Sequence, residues 1–107
     1  MSDTLEKIKR LVALGDVLIS EHGYDELNND NLTVHEIVNG IEDAILVEDY
    51  PDFHKGPSVL VLQTDKNNQP IHAVWGIPKG HDSPAVLVTA YRPDPERWDS
   101  SFTERTK

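Results

Sequence analysis

The sequence predicts an α+β domain, with two to three N-terminal helices followed by a four-stranded antiparallel meander. Three observations carry that expectation. Near the start, Leu5, Ile8, Leu11 and Val12 recur at helical spacing. Four β-prone runs follow, over residues 44–50, 58–63, 71–77 and 85–92, each closed by turn residues. The connections between these runs are short, whereas a parallel pairing needs a crossover of roughly a dozen residues or more.

The first helix is expected to open at Ser2 or Asp3, where Asp3 and Glu6 have capping-box spacing. Its apolar stripe leaves Lys7, Lys9 and Arg10 elsewhere, and Gly15 is the expected stop. Val17-Leu18-Ile19 fits either a short edge strand or the lead-in to the next helix. Ser20 suits the N-cap of a short helix through His22, Tyr24 and Leu27, which Gly23 weakens by about 1 kcal/mol relative to alanine. Residues 28–31, Asn-Asn-Asp-Asn, form a turn cluster. Thr33 and Glu36 make a cleaner capping box, opening a helix through Ile37 and Val38 to Gly40.

The strand runs are joined by residues 50–57, 65–70 and 78–84. In the third run, Ile71, Ala73, Trp75 and Ile77 share a face opposite His72, Val74 and Gly76. In the fourth, simple alternation sets Ala85, Leu87, Thr89 and Tyr91 against Val86, Val88, Ala90 and Arg92. Both faces are partly apolar. One packs on the helices, and the other needs cover from loops, the tail or a partner. A single domain over residues 3–98 is expected, with a polar tail over 99–107; from Pro93 on, either Trp98 and Phe102 dock the chain as a short helix or its end frays.

At 107 residues the chain supports one modest core. Its 37% hydrophobic content separates it from disordered polyelectrolytes. No apolar run approaches the roughly 20 residues of a membrane span. The N-terminus lacks a charged-then-apolar export pattern, so a cytoplasmic protein is expected. The absence of cysteine excludes disulfides, thiol catalysis and thiolate zinc sites. A net charge of −9 disfavours sustained DNA binding and favours a partner with a basic surface, while a compact RNA site needs its few cations focused in one place.

Several residues carry chemistry that could serve a site. His22 lies beside Tyr24, Asp25 and Glu26, so a general base or acid with an orienting carboxylate is one reading, and an ordinary helix-terminal histidine is the other. His72 sits in a strand between apolar neighbours, either facing substrate on an open sheet or satisfied within the core. Thr89, Tyr91 and Arg92 end the last strand, where a phenol and a guanidinium suit base stacking and phosphate contact, or a packed terminus with a solvated arginine. Lys55 and Lys79 place cations in loops, fit for phosphate or merely for solubility. Histidines at 22, 35, 54, 72 and 81 show no short paired spacing, so no metal site is expected. No phosphate-binding glycine loop or dinucleotide fingerprint is present, and no cofactor is expected.

Taken together, five stretches resemble one family, the bacterial domain of unknown function numbered 4258. They are residues 22–27, 47–52, 55–57, 71–77 and the Val-Thr-Ala-Tyr-Arg-Pro-Asp-Pro run from Val88, which leads on to Trp98. That last run is the most specific. The resemblance covers residues 19–98. It implies a RelE- and barnase-like fold and a metal-independent endoribonuclease, acting as the toxin of a toxin–antitoxin pair. His22 and Tyr91 would then be catalytic, and His72, Thr89, Arg92, Lys55 and Lys79 would bind substrate. The implied partners are an RNA and an antitoxin or other protein. One departure stands out. Many members carry an arginine four residues after the helix histidine, and Glu26 occupies that position here. This change is compatible with a relative that has lost catalysis and serves as a protein-interaction module.

Overall fold

Helix α1 (Asp3–Ala13) starts on Ser2, whose Oγ accepts the Leu5 N–H at 3.1 Å. Ser2 is the cap and Asp3 the first helical residue, so the Asp3–Glu6 capping box is not the one used. The helix closes as a Schellman motif. Gly15, at φ 78°, donates to the Val12 carbonyl at 3.0 Å, and the Asp16 N–H reaches the Leu11 carbonyl at 2.9 Å. A Cβ is disfavoured at that left-handed position.

The chain continues through β1 (Val17–Ile19), α2 (Glu21–Asn29), α3 (Val34–Gly40) and a 3-10 turn (Ile41–Asp43). Four strands complete it: β2 (Ile45–Tyr50), β3 (Ser58–Thr64), β4 (Pro70–Gly76) and β5 (Ala85–Tyr91). The computed structural model describes residues 2–30, 32–98 and 100–104. Among them no helix is long and apolar enough to cross a membrane. Helix α3 is capped as expected, with Thr33 Oγ1 accepting the Glu36 N–H at 3.2 Å.

The strands form one five-stranded sheet in the order β1-β5-β4-β3-β2. Strands β2 to β5 pair antiparallel with their neighbours, and β1 lies parallel to β5 at the edge. The expected four-stranded antiparallel meander is therefore corrected to a five-stranded mixed sheet, while the α+β class stands. The reason is the length of β1, which offers only three residues. Too few positions exist for a period of two to register. Two helices and three strands separate it from its partner β5, so no short connection announces the pairing.

One face of the sheet builds the core. Val59, Val61, Ile71, Ala73, Trp75 and Leu87 pack against Leu5 and Ile8 of α1, Leu27 of α2, and Ile37 and Ile41. Each large aliphatic or aromatic side chain removed from water there contributes on the order of 1.5–3 kcal/mol. A buried polar bridge crosses this layer. Gln63 Nε2 donates to the Ile37 carbonyl at 2.8 Å, and Gln63 Oε1 accepts the Trp75 indole N–H at 3.1 Å. The bridge ties β4 to α3 through β3 and satisfies the one donor that Trp75 brings into the core.

The alternation expected for β5 is also corrected. Trp75 pairs with Leu87 but Val74 pairs with Thr89, which leaves Val88 as an extra residue. This β-bulge resets the faces. Ala85, Leu87 and Ala90 point to the core, while Val86, Thr89 and Tyr91 share the outer face with Gly76, Val74 and His72. A bulge adds one residue without changing composition, so counting by twos cannot detect it.

Gln63→Met is expected to lower stability by about 1–3 kcal/mol, because it leaves a buried indole N–H without an acceptor. The midpoint of urea unfolding at constant slope measures this.

Candidate functional site

Thr89 and Tyr91 reach the outer face because of the Val88 bulge, and the start of α2 is fastened to the same place. The Ser20 N–H donates to the Leu87 carbonyl at 3.0 Å. Its hydroxyl donates to the Val88 carbonyl at 2.7 Å and accepts the Gly23 N–H at 2.9 Å. One side chain therefore caps α2 and holds the bulge. Gly23 must be small here, since a Cβ would come within 3.0 Å of both the Leu87 and Val88 carbonyls. Strand β1 covers the edge of β5 as far as Leu87, and α2 takes over from there. At the far end of this seam, Asp30 Oδ2 accepts the Arg92 N–H at 2.8 Å. His22 belongs to the first turn of α2, beside the bulge. The side chains of His22 and Glu26 lie outside the described residues.

The outer face divides into a covered end and an open end. At the covered end, His72 is fully buried, opposite Tyr91 in register and 5.8 Å from it edge-on. Trp98 meets the imidazole edge-on at 4.4 Å, and the Phe102 carbonyl lies 2.7 Å from Nε2. A carbonyl oxygen only accepts, so Nε2 carries the proton in this contact. The segment after β5 thus lies over His72 as turns with an isolated bridge at Trp98, not as a short helix.

At the open end, a row of paired residues crosses all five strands: Leu18, Val86, Gly76, Ser58 and Tyr50. Gly76 and Ser58 are small, so the middle of the row is hollow. The result is an open cleft of about 400 Å³, walled by Val74, Val86, Val88, Tyr50 and Phe53, with Lys55 the charged residue of its lining. The loop that brings Lys55 here is pinned. Gly56, at φ 125°, sits where a Cβ would fall 2.0 Å from the Ile77 carbonyl. The Lys79 N–H donates to the Lys55 carbonyl at 3.0 Å, so the two lysines adjoin along the backbone, and Lys55 is the one that lines the cleft.

Arg92 is engaged elsewhere. Its guanidinium pairs with Asp65 at 2.8 Å and reaches the Pro70 carbonyl at 3.4 Å. Asp65 Oδ1 in turn accepts the N–H groups of Asn67 and Gln69, closing the β3–β4 turn. The Gln69 N–H, with Arg92 and Asn67 assisting, holds the Asp65 carboxyl below the usual range despite its covering. Of the seven residues singled out in the sequence, His72, Thr89 and Tyr91 share the outer face, and Lys55 lines the cleft with the Lys79 backbone bonded to its own. Sequence reasoning did not find the aromatic walls Tyr50 and Phe53, or the Ser20 fastening beyond its capping role. Tyr50-Pro51-Asp52-Phe53 reads as a loop, and the only signal is two aromatics in a turn. Among the described residues, no group of three or more histidine or acidic side chains is placed to hold a metal ion.

Ser20→Ala is expected to lower stability by about 1–2 kcal/mol, as for loss of a helix cap. NMR amide shifts should move at Gly23, Val88 and Thr89. Asp65→Asn is expected to lower the melting temperature at pH 7. Because the Asp65 carboxyl is held low, its contribution is complete above about pH 4 and is lost as pH falls through the depressed value. The gap between the two proteins should therefore close in melts run progressively below about pH 4.

Three comparisons place the chain among known proteins. No curated protein matches it. No solved structure matches it either. A family profile, described as a domain of unknown function, matches residues 19–92, from the end of β1 to the Arg92 that follows β5. The chain belongs to this family, DUF4258.

Proposed function

We propose that this protein is a RelE-like, metal-independent endoribonuclease, the toxin of a toxin–antitoxin pair. The observation that carries the reading is the fastening of α2 to the Val88 bulge. It sets the first turn of α2, which contains His22, against the strand that presents Thr89 and Tyr91 on the outer face. Bulges recur next to active sites because they re-aim side chains.

The chemistry follows from the residue types. His22 takes the proton of a ribose 2′-OH, and that oxygen attacks the adjacent phosphorus. The P–O5′ bond breaks, a cyclic 2′,3′-phosphate forms, and Tyr91 delivers or positions the proton for the leaving 5′-oxygen. Thr89 offers a hydroxyl to the substrate. Lys55 and Lys79 supply positive charge for phosphate. Arg92, paired with Asp65, orders the strand end rather than the phosphate.

A second reading has its own support. His72 lies under the C-terminal segment, Arg92 is neutralised, and the open cleft is walled mainly by apolar side chains. These features, with a net charge of −9 and Glu26 in the position of a family arginine, fit a non-catalytic module that docks another protein.

Expression from a tightly controlled promoter separates the two. The ribonuclease reading expects growth arrest, loss of RNA integrity, and rescue by a protein encoded next to this one. It also expects RNA cleavage by purified protein in EDTA, reduced about 10²- to 10⁴-fold in His22→Ala and substantially in Tyr91→Phe. Unimpaired growth and intact RNA, with folded protein present, would leave the module reading in its place.

A further inference from the structure

We infer that the open cleft is a stacking subsite for one unpaired nucleobase of a single-stranded RNA, with two neighbouring phosphates met by Lys55 and Lys79, one each. The inference rests on the ribonuclease reading in taking RNA as the ligand. It adds where a base sits and how it is held.

Four observations converge. First, Tyr50 is 42% and Phe53 45% exposed, and both stand at the walls of the cleft. Exposed aromatic rings beside apolar walls offer a base the π-faces and low polarity that stacking uses. Second, the floor is hollow at Gly76 and Ser58, and about 400 Å³ lies within the range of small-ligand clefts. Third, the lysines are placed by backbone contacts rather than left on a free loop. The Lys79 N–H holds the Lys55 carbonyl, and Gly56 lets the chain press against Ile77. Asp52 lies in the same loop, while Asp82 beyond Lys79 is paired with Lys7 at 3.1 Å. In a chain of net charge −9, Lys55 in the cleft lining and Lys79 on the adjoining backbone select where a polyanion can approach. Fourth, Val88 both lines the cleft and is held by Ser20 at the start of α2. A base seated in the cleft therefore leaves the adjoining backbone beside the His22 turn.

The cleft walls offer few hydrogen-bonding groups to a base edge. Stacking without edge readout tolerates every base. Two lysines on single-stranded nucleic acid release few counterions, so the salt slope is small, about −1.4 for two neutralised phosphates.

The test uses full-length protein carrying His22→Ala, so that RNA survives, and fluorescein-labelled hexauridylate and hexaadenylate read by anisotropy across a range of NaCl. The expected result is comparable binding of the two oligomers and a slope near −1.4. Binding should weaken about tenfold on adding either Phe53→Ala or Lys55→Met, and an RNA duplex should bind much more weakly. Phe53 and Lys55 are exposed, and thermal melts confirm that each variant folds. Unchanged binding in Phe53→Ala, equal affinity for duplex, or no binding of either oligomer overturns the inference. The two readings fail separately. Phe53-dependent binding by a protein that never cleaves RNA sinks the ribonuclease and leaves the subsite. Cleavage without any Phe53 dependence in binding does the reverse.

Discussion

The outer edge of β5 is where this fold is decided. A sheet edge carries a row of unpaired backbone groups, and a strand with a bulge has one residue that no ladder can satisfy. Here β1 pairs the first half of that edge and stops, because its last residue, Ile19, stands opposite Leu87. Ser20 then takes both problems at once. Its N–H continues the ladder to Leu87, and its hydroxyl receives the helix while giving its own proton to Val88. The entry of α2, its closeness to β5 and the outward aim of Thr89 and Tyr91 all follow from that one residue. The Asp30 contact to the Arg92 backbone fixes the other end of the same helix–strand seam.

Much of the architecture was legible in the sequence for identifiable reasons. Thr33 with Glu36 announced α3, and Gly15 announced the end of α1, because caps depend on local chemistry. The four long strands announced themselves by β-branched runs between proline- and glycine-rich turns. What escaped depends on distant partners. Val17–Ile19 could be read as a short edge strand or as the lead-in to α2, and the strand is decided by β5, nearly seventy residues away in the chain. The bulge is defined by a mismatch between two strands, and the Asp65–Arg92 pair by the proximity of a turn to a strand end. The site shows the same division. Thr89 and Tyr91 stood out as chemical types on one side of the strand, but that this side is the outer one, shared with Val86, required the bulge.

The two ends of the outer face answer a shared difficulty differently. A small domain with helices on one side of its sheet leaves the other side apolar and wet. This chain uses its own C-terminal segment to cover His72, and leaves the row from Leu18 to Tyr50 open. Leu18 is 57% exposed at one limit of that row, which makes the open half a broad apolar strip rather than a point defect. Such a strip carries a solubility risk, which the strongly acidic remainder of the chain offsets by mutual repulsion between copies.

The contact between Phe102 and His72 also makes one part of the sheet depend on a segment beyond it. Trp98 and Phe102 follow every strand in the chain, so the cover for His72 comes from outside the sheet. Shielding of that surface therefore depends on residues outside the sheet, so a cut between β5 and Trp98 would bare the imidazole while leaving every strand in place.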